Sequence, residues 1–465
     1  MERTPDPALN SLSSAAQEIS RRELVRYMLR TPGSERAMAR AERVLPLGVP
    51  SSFQFYEPHP LVMRRATGAH IEDVDGHHYV DFTMGYGSLF TGHSHPLLQQ
   101  ALIEQLARGT LFVSPCEDNA AVAEMLAARF GLPQWRFTNS GTEATMDAIR
   151  VARGVTGRQR IVKVEGGYHG HHDPVLVSTK PAHEAAGPPS APFAVPSTGG
   201  LPPAVLADTL VIPYNDPEAL ARALAGRDVA CFIVEPVMEN IGICPPRPGY
   251  LEAVREITAA AGTLLLFDEV KTGITASWHG AAPRHGVLPD LIAIGKSIGG
   301  GLPVGAFGGS SDCMDAITTG RVLHLGTYNG NPLCMAAAKA VLGTICTPDE
   351  TARTIARNAK FVNDCQSLLT ARDMPAHTVQ CGAKGCVTWS SSPVTNYRDY
   401  LATDFDLAFA QWIWGVNRGV LLPPGLDEQW LLSIVHSDDD LQQALDVLSG
   451  FLNALGDPSS LEDAY

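Results

Sequence analysis

Residues 290–306 read DLIAIGKSIGGGLPVGA, and this stretch decides the fold. The stretch 290–294, apolar after Asp290, is too short for a helix, is stopped by Gly295, and is followed by a second short run at 304–308. Short apolar runs punctuated by glycine read as buried strands. Lys296 stands at the carboxyl end of the first run, before a glycine-rich turn. A lysine partly withdrawn from water there has a depressed pKa and is a good Schiff-base nucleophile. Gly295-Lys296-Ser297 also matches the end of a nucleotide-binding GxxxxGK[ST] loop, but Asp290 occupies the position of its first glycine, which excludes that reading. Gly85-Tyr86-Gly87 opens like a dinucleotide fingerprint, but Phe90 stands in place of the third glycine.

Outward from this stretch, further strands are expected at 135–139, 160–164, 230–235 and 263–268, with helices over 142–153 and 249–261 between them. Such alternation implies an α/β fold with a largely parallel sheet covered on both faces. The Pro-, Gly-, Ser- and Ala-rich segment 181–204 reads as a long loop, and a helix starts near 332 behind Asn331. Residues 69–83 suggest a hairpin turning at Asp75-Gly76. The first 45 residues look helical, broken at Thr31-Pro32-Gly33, with Leu24, Tyr27, Met28 and Leu29 on one apolar face. The domain division expected is 1–80 as an N-terminal arm and part of a small domain, 81–335 as a large domain, and 336–465 as a C-terminal small domain.

Composition narrows the function. Net charge is −14 over 465 residues, which argues against nucleic-acid binding, since that rests on basic patches. The nine cysteines run from Cys116 to Cys386 with no CxxC pair. They read as thiols of a reducing cytoplasm rather than zinc ligands. No apolar run reaches the ~18 residues of a membrane span, and no secretory signal is expected at the N-terminus.

Two more motifs carry chemistry. In FTNSGTEATMDAIRVAR (137–153) a strand ends, a small polar turn follows and a helix begins. The free N–H groups and dipole of that helix start suit a phosphate, with Ser140, Gly141 and Thr142 at the turn. An ordinary capping box, Ser140 with Glu143, explains the same residues equally well. In LLLFDEVKTG (264–273) Asp268 ends a strand, where open α/β sheets place their ligand contacts. A strand-end cap is the plain alternative. The cluster GGYHGHHD (166–173) suits an aromatic edge, Tyr168 or His169, stacked on a planar cofactor better than it suits a metal, for which no second ligand group is evident. No metal is expected.

These pieces occur in one order in one family. The chain resembles class III (subgroup II) aminotransferases of the aspartate-aminotransferase fold, closest in motifs to the glutamate-1-semialdehyde 2,1-aminomutases and their aminotransferase relatives. DVDGHHYVDF, TGHSHP, VEPVMENIG and GTYNGNPLCMAAA belong to the match, with the motifs above. The resemblance implies a large domain with a mainly parallel seven-stranded sheet, a small α+β domain, and pyridoxal 5′-phosphate (PLP) as cofactor. It implies that Lys296 carries PLP as a Schiff base and Asp268 pairs with the pyridine nitrogen. Val270 would pack on the ring, Tyr168 would stack over it, and Ser140, Gly141 and Thr142 would bind the phosphate. Glu235 and Asn240 would lie near the phenolic oxygen. Thr327 would reach the phosphate of the neighbouring subunit, implying a homodimer with shared sites.

Departures from the family pattern concern the substrate pocket, for which the candidates are Ser51, Gln54, Tyr86 and Glu428. Gln54 stands where the aminomutase carries a carboxylate-gripping Arg. The Arg that β-amino-acid aminotransferases place near Ser51 is absent. Tyr86 aligns with an active-site Trp, Glu239 replaces a Gly, and Glu428 matches a Glu of the aminomutase. Arg65, Arg284 and Arg321 are candidates to restore a carboxylate contact, while Arg418 reads as structural. Glu428 is expected to repel a second anion. The first reading is therefore an aminotransferase acting on an amine or amino compound and a carbonyl acceptor; the alternative is the aminomutase. A PLP-binding regulator would need a DNA-binding module, for which the first ~45 residues are too short and not basic enough.

Overall fold

The computed structural model describes residues 7–424 and 428–457. At its centre is a seven-stranded sheet built from β4 (Gln134–Thr138), β5 (Arg160–Val164), β6 (Thr209–Ile212), β7 (Val229–Val234), β8 (Leu264–Asp268), β9 (Leu291–Ile294) and β10 (Gly305–Gly309). The spatial order is β4-β10-β9-β8-β7-β5-β6. Only β10 runs antiparallel to its neighbours. β7 and β9 are buried along their whole length and β8 nearly so, as expected for parallel strands covered by helices on both faces. One face packs on the helix Gly141–Thr156 through Ala144, Ala148 and Ile149, and on the other Phe232 of β7 and Phe267 of β8 share a core with Leu251 and Met335.

Two smaller sheets flank it. β1 (Met63–Thr67), β2 (His70–Asp73) and β3 (His78–Asp81) form an antiparallel ribbon whose last strand pairs in parallel with β13 (Val420–Leu421). β11 (His377–Cys381), β12 (Lys384–Thr388) and β14 (Trp430–Leu431) form a three-stranded sheet. A separate core joins both ends of the chain: Ala16 and Ile19 meet Val80, Phe361, Trp414 and Leu448.

The expected hairpin turns where Asp75 and Gly76 stand, and the six expected strands lie within a residue or so of their predicted bounds. β6 is an addition: it directly follows the short helix Pro203–Asp208, which ends the long loop. The N-terminal break is also present, between Pro7–Arg30 and Pro32–Ala41. The expected apolar face is narrower than its sequence suggested. Tyr27 is fully buried and Leu24 partly so, but Met28 and Leu29 are 44% and 67% exposed. At 100° per residue Leu24 lies about 60° from Tyr27, at the half-buried edge of the stripe, while Met28 and Leu29 lie about 100° and 160° from it, beyond that edge. Among the described residues no helix is long and apolar enough to cross a membrane.

Candidate active site

The carboxyl ends of β4, β8 and β9 open into one cavity of about 660 Å³. Three sequence segments meet there because two glycines allow it. A Cβ at Gly141 would lie 2.7 Å from the Val270 methyls, and a Cβ at Gly295 would lie 3.3 Å from the Gly141 backbone. The helix start, the end of β8 and the end of β9 thus touch through bare backbone.

Lys296 sits two residues past β9 and opens a short 3₁₀ turn with φ +49°. A non-glycine residue in the left-handed region costs of order 1–3 kcal/mol and persists only where its surroundings impose it. Burial, and after it the Lys271 ammonium, push the Lys296 amine down to about 8. Asp268 ends β8; its Oδ1 accepts from the Val270 N–H at 3.0 Å and its Oδ2 is 2.9 Å from His169 Nδ1. Burial holds the His169 imidazole below its ordinary value against the pull of Asp268, and Nδ1 is the atom that can donate to a carboxylate that only accepts. The His169 Nε2 has no partner among the described residues. His169 therefore orients Asp268, a role the sequence alone left between stacking and metal binding. Among the described residues no group of His, Cys, Asp and Glu is placed to hold a metal.

At the turn, Ser140 Oγ accepts from the Glu143 N–H at 3.2 Å. The reciprocal half of the capping box is shifted by one residue: Glu143 Oε2 accepts from the Asn139 N–H at 2.8 Å. Capping and anion binding are thus compatible, because the helix offers no acceptor to the N–H groups of Gly141 and Thr142, both on the cavity wall. Tyr168, Glu235, Asn240 and Val270 also line the cavity. Glu235 accepts from Asn240 Nδ2 at 2.8 Å and from the Glu239 N–H at 3.1 Å. Burial, then Asp268, raise its carboxyl to about 8.

The pocket candidates separate. Ser51 and Glu428 line the cavity; Gln54 and Tyr86 do not. Gln54 is exposed, and Tyr86 packs its ring 4.3 Å from that of Phe53, which does line the cavity. Thr327 lies on an exposed segment beside Leu325 and Tyr328, outside this chain's cavity. The expected repulsion from Glu428 is corrected: its Oε2 is 2.8 Å from Lys271 Nζ, with side chains 5% and 6% exposed, so its charge is neutralised in place. Burial opposes the Lys271 charge, but Glu428, Glu235 and Glu239 more than offset it and hold its pKa above the usual value. Sequence reasoning missed Lys271. Its signal was a lysine three residues past a strand-end aspartate, with Lys384 in the otherwise apolar context GAKGCV.

None of the arginines suggested for a carboxylate lines the cavity. Arg65 pairs with Glu72, Arg284 donates to the Ala276 carbonyl at 3.2 Å, and Arg321 is exposed. Arg418 pairs with Glu23 and lies 3.2 Å from the centre of the Trp414 ring, a structural role.

A buried lysine of lowered pKa, an oriented carboxylate and a helix start with free N–H groups, at the carboxyl edge of a mainly parallel sheet, fit a phosphorylated aldehyde with a basic ring nitrogen. They define a PLP-dependent enzyme. The model of the family described as Aminotransferase class-III matches residues 54–398, and the chain belongs to that family. It is 40% identical over 420 residues to glutamate-1-semialdehyde 2,1-aminomutase of Nitratidesulfovibrio vulgaris strain Hildenborough, covering 89% of this chain and 97% of the relative. The crystal structure of an omega-transaminase from Sphaerobacter thermophilus superposes with TM-score 0.87 at 35% identity, over 92% of this chain and 99% of that one. A glutamate-1-semialdehyde-aminomutase from Pseudomonas aeruginosa PAO1, in complex with PMP, gives TM-score 0.87 at 30% identity, over 95% and 99%.

Proposed function

We propose that this enzyme is an aminotransferase moving an amino group between an amine or amino compound and a carbonyl acceptor, with Lys296 as the residue that carries PLP. PLP, when bound, supplies an electron sink for the carbon that bears the amine. The observation that carries the reading is the meeting of Lys296, Asp268 and the helix start at one cavity. Asp268, held by His169, would keep the ring nitrogen protonated through charge pairing. Ser140, Gly141 and Thr142 would hold the phosphate, Val270 and Tyr168 would pack on the ring, and Asn240 and Glu235 would lie near its phenolic oxygen; all of them line the cavity. Lys296 Nζ would also be the group that moves a proton to and from the substrate carbon that bears the nitrogen.

The inventory of charges supports a neutral substituent on the substrate. No Arg lines the cavity among the described residues, Lys271 is already committed to Glu428 and to the Glu239 carbonyl, and Lys180, on an exposed part of the wall, offers a point charge rather than a planar two-bond grip. A carboxylate gripped by Arg gains hydrogen bonds of about 1.5–3 kcal/mol each, and this cavity lacks that grip. The second reading, a glutamate-1-semialdehyde aminomutase with a rearranged carboxylate site, draws on the 40% identity to a relative of that name. A half-reaction screen separates the two: the enzyme is mixed with single amines and with glutamate-1-semialdehyde, and conversion of the cofactor spectrum is followed. Rapid conversion by neutral amines supports the aminotransferase. Efficient formation of 5-aminolevulinate, with no gain from Gln54→Arg, favours the mutase.

We further propose a homodimer with shared active sites, in which Thr327 reaches the partner's phosphate; exposed Leu323, Leu325 and Tyr328 beside it support this. The three-part division at about 80 and 335 is kept, supported by the core that joins both chain ends. All nine cysteines are free, which supports a place in the cytoplasm.

A further inference from the structure

Behind one end of the cavity, charged side chains meet away from water. Lys384 Nζ donates to Glu239 Oε2 at 2.7 Å, with side chains 2% and 0% exposed, and to the Lys271 carbonyl at 2.6 Å. The Glu239 carbonyl in turn accepts from Lys271 Nζ and, at 2.7 Å, from Gln429 Nε2. Lys271 Nζ completes the chain to Glu428 Oε2. Three distant segments are tied together: the loop after β7, the loop after β8, and the three-stranded sheet, which supplies Lys384 from β12 and Gln429 from the residue before β14. Lys271 and Glu428 line the cavity; Glu239 and Lys384 do not.

Removing two ammoniums and two carboxylates from water offsets most of what their attraction returns, and apolar replacements of similar volume are often as stable. Stability is therefore a poor account of the arrangement. Its geometry is the better one, since every donor of Lys384 and Lys271 that the structure pairs is aimed at a site segment.

We propose that Glu239 and Lys384 are positioning residues: their buried pair fixes Lys271 and Glu428 at the end of the cavity and thereby sets the charge that Lys296 meets. Lys271, Glu428, Asp268, Glu235 and Lys180 line the cavity with Lys296, and Lys384 lies behind them; the charges that act most on the Lys296 nitrogen are Lys271, Glu428, Lys384 and Asp268. Apart from burial, the two cations lower the proton affinity of its nitrogen and the two carboxylates raise it. Lys384→Met leaves an unbalanced anion at Glu239, and Glu239→Gln leaves an unbalanced cation at Lys384. The two variants should move that affinity in opposite directions, which loss of packing alone would not do.

The inference rests on Lys296 holding the cofactor, and that is read separately, from the position of the borohydride-reduced adduct in each variant. The test is a pH titration of the visible absorption of the bound cofactor in the resting holoenzyme. The expected result is a midpoint raised in Lys384→Met and lowered in Glu239→Gln, each by about 0.3 unit or more. Both midpoints at the wild-type value, with the adduct still on Lys296, overturn the proposal. An adduct on another lysine overturns the assignment of Lys296 instead. If either single variant fails to fold, Lys384→Met/Glu239→Met, which leaves no unpaired charge, takes its place. It should keep the wild-type melting temperature and cofactor content and lose at least tenfold in kcat/KM; wild-type kcat/KM would refute positioning.

Discussion

Lys271→Met tests whether the cavity end is built on a buried ion pair. The substitution keeps much of the side-chain volume and strips Glu428 of the ammonium 2.8 Å from its Oε2. With its side chain only 5% exposed, Glu428 would be an uncompensated buried charge, which costs about 3–5 kcal/mol. Protonation limits that cost. Taking up a proton from an ordinary carboxyl near 4.3 costs about 3.7 kcal/mol at pH 7 but only about 1.6 kcal/mol at pH 5.5. A pH-independent loss of about 1 kcal/mol joins it, for the donor taken from the Glu239 carbonyl. An unfolding entropy of about 2.1 cal/mol/K per residue gives about 1 kcal/mol/K for a chain of this length. The variant should therefore melt about 4–5 °C below wild type at pH 7 and about 2–3 °C below it at pH 5.5. Calorimetry of the two holoenzymes at both pH values measures this, and Lys271→Met/Glu428→Leu should recover most of the loss. A deficit equal at the two pH values, or larger at pH 5.5, would refute the ion pair as the source.

Asp268→Asn should lower the rate of the amine half-reaction by at least about 10- to 1,000-fold, the span of a 1–3 unit change in ring-nitrogen pKa, with circular dichroism unchanged. Wild-type rates would remove Asp268 from its role. The Lys296 amine, held at about 8 by burial and by Lys271, must be neutral to attack an aldehyde. Recapture of PLP by cofactor-free enzyme should thus accelerate from pH 6.5 and level off above pH about 8.5, as followed by absorbance; a plateau beginning below pH 7 would contradict the depressed but still basic amine. Light scattering at working concentration should show a dimer or larger, and a fully active monomer would contradict the shared site.

The sheet was legible because its strands are short apolar runs closed by glycine or a polar residue, as at Ile294-Gly295 and Phe267-Asp268. The strand β6 lacked such a frame: TLVI follows the helix Pro203–Asp208 directly, at the end of a Pro- and Gly-rich stretch. The cavity-facing ends of β4, β8 and β9 could be named from the same punctuation. Side-chain partnerships could not. The contact of His169 with Asp268 spans 99 positions and that of Lys271 with Glu428 spans 157. No local periodicity reports a pair closed by tertiary packing. That is why Glu428 read as a bare anion, and why Met28 and Leu29, exposed in this chain, read as one apolar face with Leu24 and Tyr27.

The most direct test of the account is where the cofactor is attached. The holoenzyme is reduced with borohydride, digested, and the phosphopyridoxyl peptide sequenced by mass spectrometry. The adduct should fall on Lys296, within the peptide that holds Gly295 and Ser297, and Lys296→Ala should yield no adduct and no turnover. An adduct on Lys271, whose amine also lines the cavity, or on any other lysine would contradict the assignment on which the mechanism stands.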